Sequence, residues 1–407
     1  MSWTFQTGTS VDDVLLGAVL DSCGNVILAG YTKGSFSGSN AGYWDVFTMK
    51  LSEDGSQLWA YQTGSDGNDQ LYGLAVDSFN SIVLTGATSG SLNGQSHSGQ
   101  TDIFVMKIDR FKTLQWTYQT GTDSQQEGTG VQVDLWGNIF VAGWAAGDLH
   151  SQVSAGEVDA FVMKLSSDGV NQWTVLSGGP AYDFAWNLAM DASGNIVVVG
   201  DSYGSFQGNY NAGGSDLFVW KLNHAGSDQW SFQAGTSGSE YSSGMDIDSA
   251  GNIVVTGMTS GVMGANSTGN YDVVVLMLDS SGVQQWIFQT GSSTGSSAGR
   301  AAVWDPYGRI FVMATAWGSF AGGVAIGDKD VALLKLDATG NQEWVSQLGT
   351  RFLAAFQRFI EMMSKRRQLK ELSSMWTVGL LHAMGTVECV SSINGSVGHL
   401  LSNGYMI

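Results

Sequence analysis

The chain has 407 residues, among them 56 glycines, 2 prolines and 2 cysteines. This composition excludes collagen-like and proline-rich chains, a disulfide scaffold and a cysteine-based zinc site. Hydrophobic residues make up 43% and charged residues 13%, so there is enough apolar surface to fold, and a net charge of −19 argues against nucleic acid as a partner.

The opening text, MSWTFQTGTS, is already part of a repeat and has no basic-then-apolar leader. No apolar run is long enough to span a membrane as a helix. From Trp3 onward, one tryptophan context returns about every 57 residues, at Trp59, Trp116, Trp173, Trp230, Trp286 and Trp344. A second element follows each of the first six, as in DSCGNVILAG, DLWGNIFVAG and DSAGNIVVTG. A third completes the unit, as in DVFTMKLS, DIFVMKID and DLFVWKLN.

Each unit reads as four strands. In the second copy these are YGLAVD, SIVLTGAT, DIFVMKID and LQWTYQTG, rich in β-branched and aromatic residues and bounded by turn formers. No helical period appears before residue 350. Four strands repeated radially make a β-propeller blade, and a unit this long is too large for most solenoids. The first strand alternates large and small residues, for instance Leu74 and Val76 against Gly73 and Ala75. That alternation fills the taper near an axis, so the first strand is placed innermost and the tryptophan strand outermost. Blades then run over 9–64, 65–121, 122–178, 179–235, 236–291 and 292–349, with residues 3–8 left as an outer strand of a seventh.

The turns carry their own reading. Asp21, Asp77, Asp134, Asp191, Asp248 and Asp305 open the DxxGN turns, folding a carboxylate back on the backbone before a positive-φ glycine. One carboxylate per turn is too few for calcium, so these are turn caps. The turn between the third and fourth strands contains glycine except in DRFKTL, Asp109–Leu114, which is expected to differ. A second repeated acid, Asp45, Asp102, Asp159, Asp216, Asp272 and Asp330, precedes a lysine by five residues in every copy except the one with Met277. An odd offset puts the two on opposite faces of the strand, so a lattice of blade-to-blade bonds is expected instead. The repeated tryptophans read as buried packing residues.

The unit DxxGNIVVTG, a Gly- and Ser-rich gap, DxFVxKL and then GxxxW resembles the bacterial seven-bladed β-propeller repeat known as SBBP. The resemblance covers residues 3–349 and recurs six times, with the strand glycine lost in DPYGRIFVMATAWGSF. It implies a propeller, usually of secreted or cell-surface proteins, with no general enzymatic role and no catalytic residues to carry over. The fold expected is thus all-β, six complete blades plus a partial seventh over 3–349, and a non-repeat tail over 350–407. Residues 351–407 hold six basic and three acidic groups, which leaves −22 on residues 1–350. Phe352, Phe356, Phe359 and Met363 lie at helical spacing there. Three readings stay open: a basic helix for a membrane surface or calmodulin-like partner, a helix packed on the propeller edge, or a frame-shifted end.

No HExxH, GxSxG, P-loop or dinucleotide fingerprint occurs, so no metal, cofactor or catalytic residue is assigned. His97 and His150 share a loop type on adjacent copies without metal-ligand spacing. Loops joining outer to inner strands and second to third strands share one face and vary most between copies. They, and the inner strands they lead into, carry Tyr43, Trp44, Tyr72, Trp186, Tyr210, Tyr241 and Tyr271, the candidate ligand face. The reading is a non-catalytic scaffold presenting an acidic face to a protein or cell-surface partner. The alternatives are a lectin-like carbohydrate binder and, last, a hydrolase or lyase using channel carboxylates such as Asp246. A monomer is expected unless the open blade edge pairs.

Overall fold

The computed structural model describes residues 5–264, 269–292, 295–325 and 329–348. Trp3 and the amphipathic segment beyond residue 350 lie outside them. Twenty-four strands form six separate four-stranded antiparallel sheets, each built from four consecutive strands in chain order. In the second blade the strands are Asp69–Val76, Ile82–Thr88, Asp102–Ile108 and Leu114–Thr120. The first strands of successive blades neighbour one another, so they are innermost and the tryptophan strands outermost. The only helical elements among the described residues are two three-residue 3-10 turns. This is a propeller.

Blades pack face to face through the large-against-small pairs read from the inner strand. A side chain at Gly73 would meet Val131 of the next blade at 3.1 Å, and one at Gly130 would meet Leu188 at 2.9 Å. The apolar clusters fill the spaces between sheets, as where Val254, Val273 and Val275 of blade five meet Ile310, Val312 and Leu334 of blade six. Along the upper rim the backbone joins neighbours. Asp69 N donates to Trp44 O at 2.8 Å, and the same bond recurs at Asp183 to Val158, Glu240 to Ser215 and Ser297 to Tyr271.

The lower face carries the repeated turns. Asp191 Oδ1 accepts the N–H groups of Ser193 and Asn195, both at 2.9 Å, while Oδ2 takes the Asn195 amide at 2.8 Å. Gly194 supplies the positive φ of 80°. The turn expected to differ does not. Lys112 N bonds Asp109 O at 3.0 Å, matching Gly55 N to Ser52 O at 2.9 Å, because Lys112 itself adopts a φ of 76°. The turn geometry thus imposes a left-handed backbone on a residue with a Cβ.

The Asp–Lys series bonds between blades only in part: Lys221 Nζ donates to Ser280 O of blade five at 3.2 Å, and Lys164 Nζ lies 3.3 Å from His224 Nδ1 of blade four. Lys50, Lys107 and Lys221 reach down within their own blades to the turn carboxylates of Asp21, Asp77 and Asp191, at 2.8, 3.0 and 2.9 Å. Asp45, at the upper end of the same strand, takes the Gln62 amide of its own blade at 2.9 Å. The repeated indoles also tie blades together below. Trp116 Nε1 donates to Ser167 O at 3.1 Å and Trp286 Nε1 to Ala338 O at 3.0 Å, each on the next blade. These tryptophans are half-buried rather than buried, and Trp344 is 39% exposed. Glycine at the facing turn is required: a Cβ on Gly169 would lie 2.8 Å from the Trp116 ring.

Candidate functional site

The upper face holds two aromatic groups. The larger one grows from the inner strand of blade four, Asp183–Met190. Tyr182, Phe184 and Trp186 fall on alternate positions, which places their side chains on one side of the strand. Tyr182 stacks on Phe184 at 6.2 Å and 10°, and Phe184 on Trp186 at 5.5 Å and 15°. Tyr203 stands edge-on to Tyr182 and Phe184, and Trp144 of blade three meets Phe184 edge-on at 5.4 Å. Tyr203 and Tyr241 share a hydroxyl contact of 3.3 Å, and Tyr271 lies 6.3 Å from Tyr241. The rings therefore run continuously from blade three across blade four to blade five. Tyr182, Trp186 and Tyr203 remain 45%, 36% and 43% exposed.

Trp186 occupies a bulge. Pairing with the second strand skips from Ala185 to Asn187, and every inner strand has the same irregularity. The skipped residues are Leu16, Tyr72, Thr129, Trp186, Ser243 and Arg300. A bulge re-aims one side chain, and this series holds equivalent places around the centre. Arg300 donates from Nε to Thr315 Oγ1 at 3.2 Å.

Two carboxyls lie beneath the rings. Asp201 is buried, accepts Ser242 N at 2.6 Å and takes the Trp186 Nε1–H on its other oxygen. Burial pushes its carboxyl up to about 7. Glu127 pairs in register with Trp144, and burial pushes it too up to about 7. Tyr72 donates to Gln70 Oε1 at 3.1 Å, and burial, then the charge of Glu127, raises its phenol.

The second group lies on blade one. Tyr43 and Trp44 meet at 6.3 Å, and Tyr31 stands edge-on to Trp44 at 4.9 Å. Lys33 Nζ sits 4.5 Å from the Trp44 ring and bonds Asp12 at 2.8 Å.

The seven aromatic residues named from sequence thus divide. Trp186, Tyr241 and Tyr271 come together, Tyr43 and Trp44 form the other group, and Tyr72 turns inward. Tyr210 is 83% exposed and belongs to neither. Tyr182, Phe184 and Tyr203 were missed. The alternation in AYDFAW was the available signal, since no other copy sets three rings there.

Asp246, named as a channel carboxylate, is held by backbone donors of two blades. Its carboxylate accepts Ile247 N at 2.9 Å and, on blade six, Trp304 N at 2.8 Å. His97 and His150 do not converge either. His97 lies 3.3 Å from Asp102, and His150 is enclosed by Thr120, Tyr118 and Thr174. Among the described residues no cluster of three or more His, Cys, Asp or Glu side chains suits a metal ion. No helix among them is long and apolar enough to cross a membrane.

No family model matches the chain. Regulatory protein FlaEY of Caulobacter vibrioides is 28% identical over 202 residues, covering 47% of this chain and 20% of that protein. The WD repeat-containing protein L264 of Acanthamoeba polyphaga mimivirus is 22% identical over 252 residues, covering 48% and 18%. The chain thus matches about a fifth of the length of these curated relatives. The Neurospora crassa Pan2 WD40 domain superposes with a TM-score of 0.43 at 13% identity, covering 84% of this chain and 91% of that one. Structures titled as gluconolactonases superpose with TM-scores of 0.36 and 0.39. Superpositions at this level bear on neither blade count nor chemistry.

Proposed function

We propose that the protein is a non-catalytic binding propeller whose upper face takes a protein partner along the aromatic seam of blades three to five. The observation that carries this reading is the run of Tyr182, Phe184, Trp186 and Tyr203, stacked on one another yet open to water. Aromatic residues held rigid by packing lose little entropy on binding and dominate the energetics of protein contacts. The −22 on residues 1–350 favours a basic partner and speeds its approach.

The same rings support the carbohydrate-binding alternative less well. A sugar needs an open ring face, and here Phe184 is covered by Tyr182 on one side and Trp186 on the other. A hydrolase or lyase reading is supported less well, since Asp246, the carboxylate named for it, already accepts two backbone N–H groups. The resemblance to SBBP repeats supports an extracellular or cell-surface setting, within the same proposal.

Paired arrays test it, one of basic and acidic peptides containing aromatic residues, the other of glycans. Basic peptides are expected to be retained, and Trp186→Ala is expected to lose them at temperatures well below its own unfolding midpoint, which falls because Asp201 loses its indole donor. Retention of glycans, or peptide binding indifferent to Trp186→Ala, overturns the reading.

A further inference from the structure

On the lower face, one lysine of the repeat breaks the pattern its siblings keep. Lys50, Lys107 and Lys221 close on the turn carboxylates of Asp21, Asp77 and Asp191. In blade three the matching carboxylate is bonded instead by a histidine of the next blade, with His224 Nε2 2.9 Å from Asp134 Oδ2. Lys164, the sibling in this blade, stands against that imidazole, its Nζ 3.3 Å from Nδ1 and 3.5 Å from Nε2. His224 holds the second place of its turn, where the next copies have Ser280 and Ala338 and the preceding one has Ser167. No other copy sets a histidine there.

The three groups form a relay across the seam between blades three and four. The Asp134 side chain is 3% exposed, and it is fixed by the N–H groups of Trp136 and Asn138 at 2.9 and 2.8 Å and by the Asn138 amide at 2.7 Å. A carboxylate held in this way selects the imidazole tautomer: the Nε2 proton faces Asp134, which leaves the lone pair on Nδ1, the nitrogen nearer to Lys164. Lys164 Nζ also lies 5.3 Å from the centre of the Phe140 ring, which is fully buried. Burial holds this ammonium below the usual lysine range, against the charge of Asp134. The amine is not sealed off. Lys164 is half-buried, the His224 side chain is 35% exposed, and Trp136, edge-on to the imidazole at 5.8 Å, is 74% exposed.

We propose that Lys164 is an acyl-acceptor site, a nucleophilic lysine that takes acyl groups from thioesters with His224 as its base and Asp134 holding that base in place. The step balances within these groups. Lys164 sheds one proton to water, and its neutral Nζ attacks the thioester carbonyl carbon. A C–N bond forms and the C–S bond breaks, the sulfur leaving with the electron pair. The second Nζ proton passes to His224 Nδ1 and from there to the departing thiolate. The products are an amide on Lys164 and a free thiol. A lysine paired to a carboxylate, as Lys107 is to Asp77, is kept as an ammonium with no lone pair to offer, whereas one beside an oriented imidazole has a base for its proton. The open Trp136 ring next to the imidazole gives an apolar acyl chain a surface to lie on.

The probe is S-acetyl-N-acetylcysteamine, an uncharged thioester, incubated with the full chain while acetylation at each lysine is followed by peptide mass spectrometry. Lys164 is expected to react roughly a hundredfold faster than Lys107 and Lys221, the scale of general-base assistance. His224→Gln should bring Lys164 down to their rate and leave theirs unchanged, which also reports an intact fold. The Lys164 reaction should slow in heavy water more than the Lys107 reaction, a signature of proton transfer to a base that packing alone would not give. Ser280→His places a histidine against Asp191 and Lys221 in blade four and should raise acetylation at Lys221. Equal rates at Lys164 and Lys107, or a Lys164 rate untouched by His224→Gln, overturns the proposal. If His224→Gln fails to fold, Ser280→His decides, and no gain at Lys221 overturns it.

Discussion

The lower and upper faces of this propeller are both lined with aspartates, and Asp21 and Asp191 below shift in the opposite direction from Asp69, Asp183 and Asp216 above. Below, burial raises the carboxyls of Asp21 and Asp191, but their lysine and asparagine partners outweigh it and hold both under the usual range. Asp337, exposed and bonded to Asn341 and Thr339, falls to about 2. Above, burial dominates. Asp69 and Asp216 are raised, Asp183 is pushed up to about 6 by burial and by the charge of Asp159, and Asp201 reaches about 7. The difference is one of partners. Lysines reach the lower carboxylates of Asp21 and Asp191, whereas the upper rim sets carboxyls of adjacent blades, such as Asp159 and Asp183, near each other.

The largest test of this contrast is to break a lower pair. Lys221 and Asp191 are 7% and 8% exposed at the side chain, so Asp191→Ala leaves a buried ammonium. A loss of about 3–5 kcal/mol in urea unfolding is expected. An effect near zero would mean that the turn holds without its carboxylate.

The second test reads the upper rim through pH. A carboxyl with a raised folded pKa costs nothing below its unfolded value and destabilises progressively as pH climbs to the folded value. For Asp183 the penalty grows between pH 4 and about 6, up to about 3 kcal/mol at roughly 1.4 kcal/mol per pKa unit. Lower-face groups act the other way, keeping their contribution above the unfolded value and losing it as pH falls through the lowered one. Asp183→Asn should flatten the arm of the stability profile between pH 4 and about 6 and leave the part below pH 4 unchanged. Blade three already carries an amide in that place, where Gln126 Oε1 accepts Thr122 N at 3.0 Å. A profile unchanged by the substitution would remove Asp183 as the source of that arm.

The smallest effect is local. Lys112→Gly relieves a left-handed backbone and should stabilise the chain by about 1 kcal/mol, read as a higher midpoint in the same unfolding assay. Destabilisation would show that the lysine side chain contributes more than its backbone costs.

Much of this architecture is legible in the text because it repeats. Strand order, blade limits, the large-against-small inner strand and the turn carboxylates all recur, so each copy checks the others. What was not legible depends on faces meeting across blades. The lysine five residues after Asp45 was correctly kept from pairing with it, but its reach to Asp21 needs the antiparallel register of three strands. The backbone at Lys112 follows the hairpin geometry and not the residue at the turn. The aromatic seam was seen only in part, because Tyr203 and Phe184 meet Trp186 through two different strands and a bulge.

The glycine leaving each outer strand has a wider consequence. A side chain at Gly178 would come within 2.2 Å of Asp159 of its own blade and 2.5 Å of Asp183 of the next, and Gly64 and Gly235 sit likewise between two carboxyls. Every such junction is assembled from halves contributed by two successive copies. Gain or loss of one entire unit by recombination regenerates an intact junction, while a breakpoint inside a unit strands one half of it. Copy number is then free to drift in whole steps.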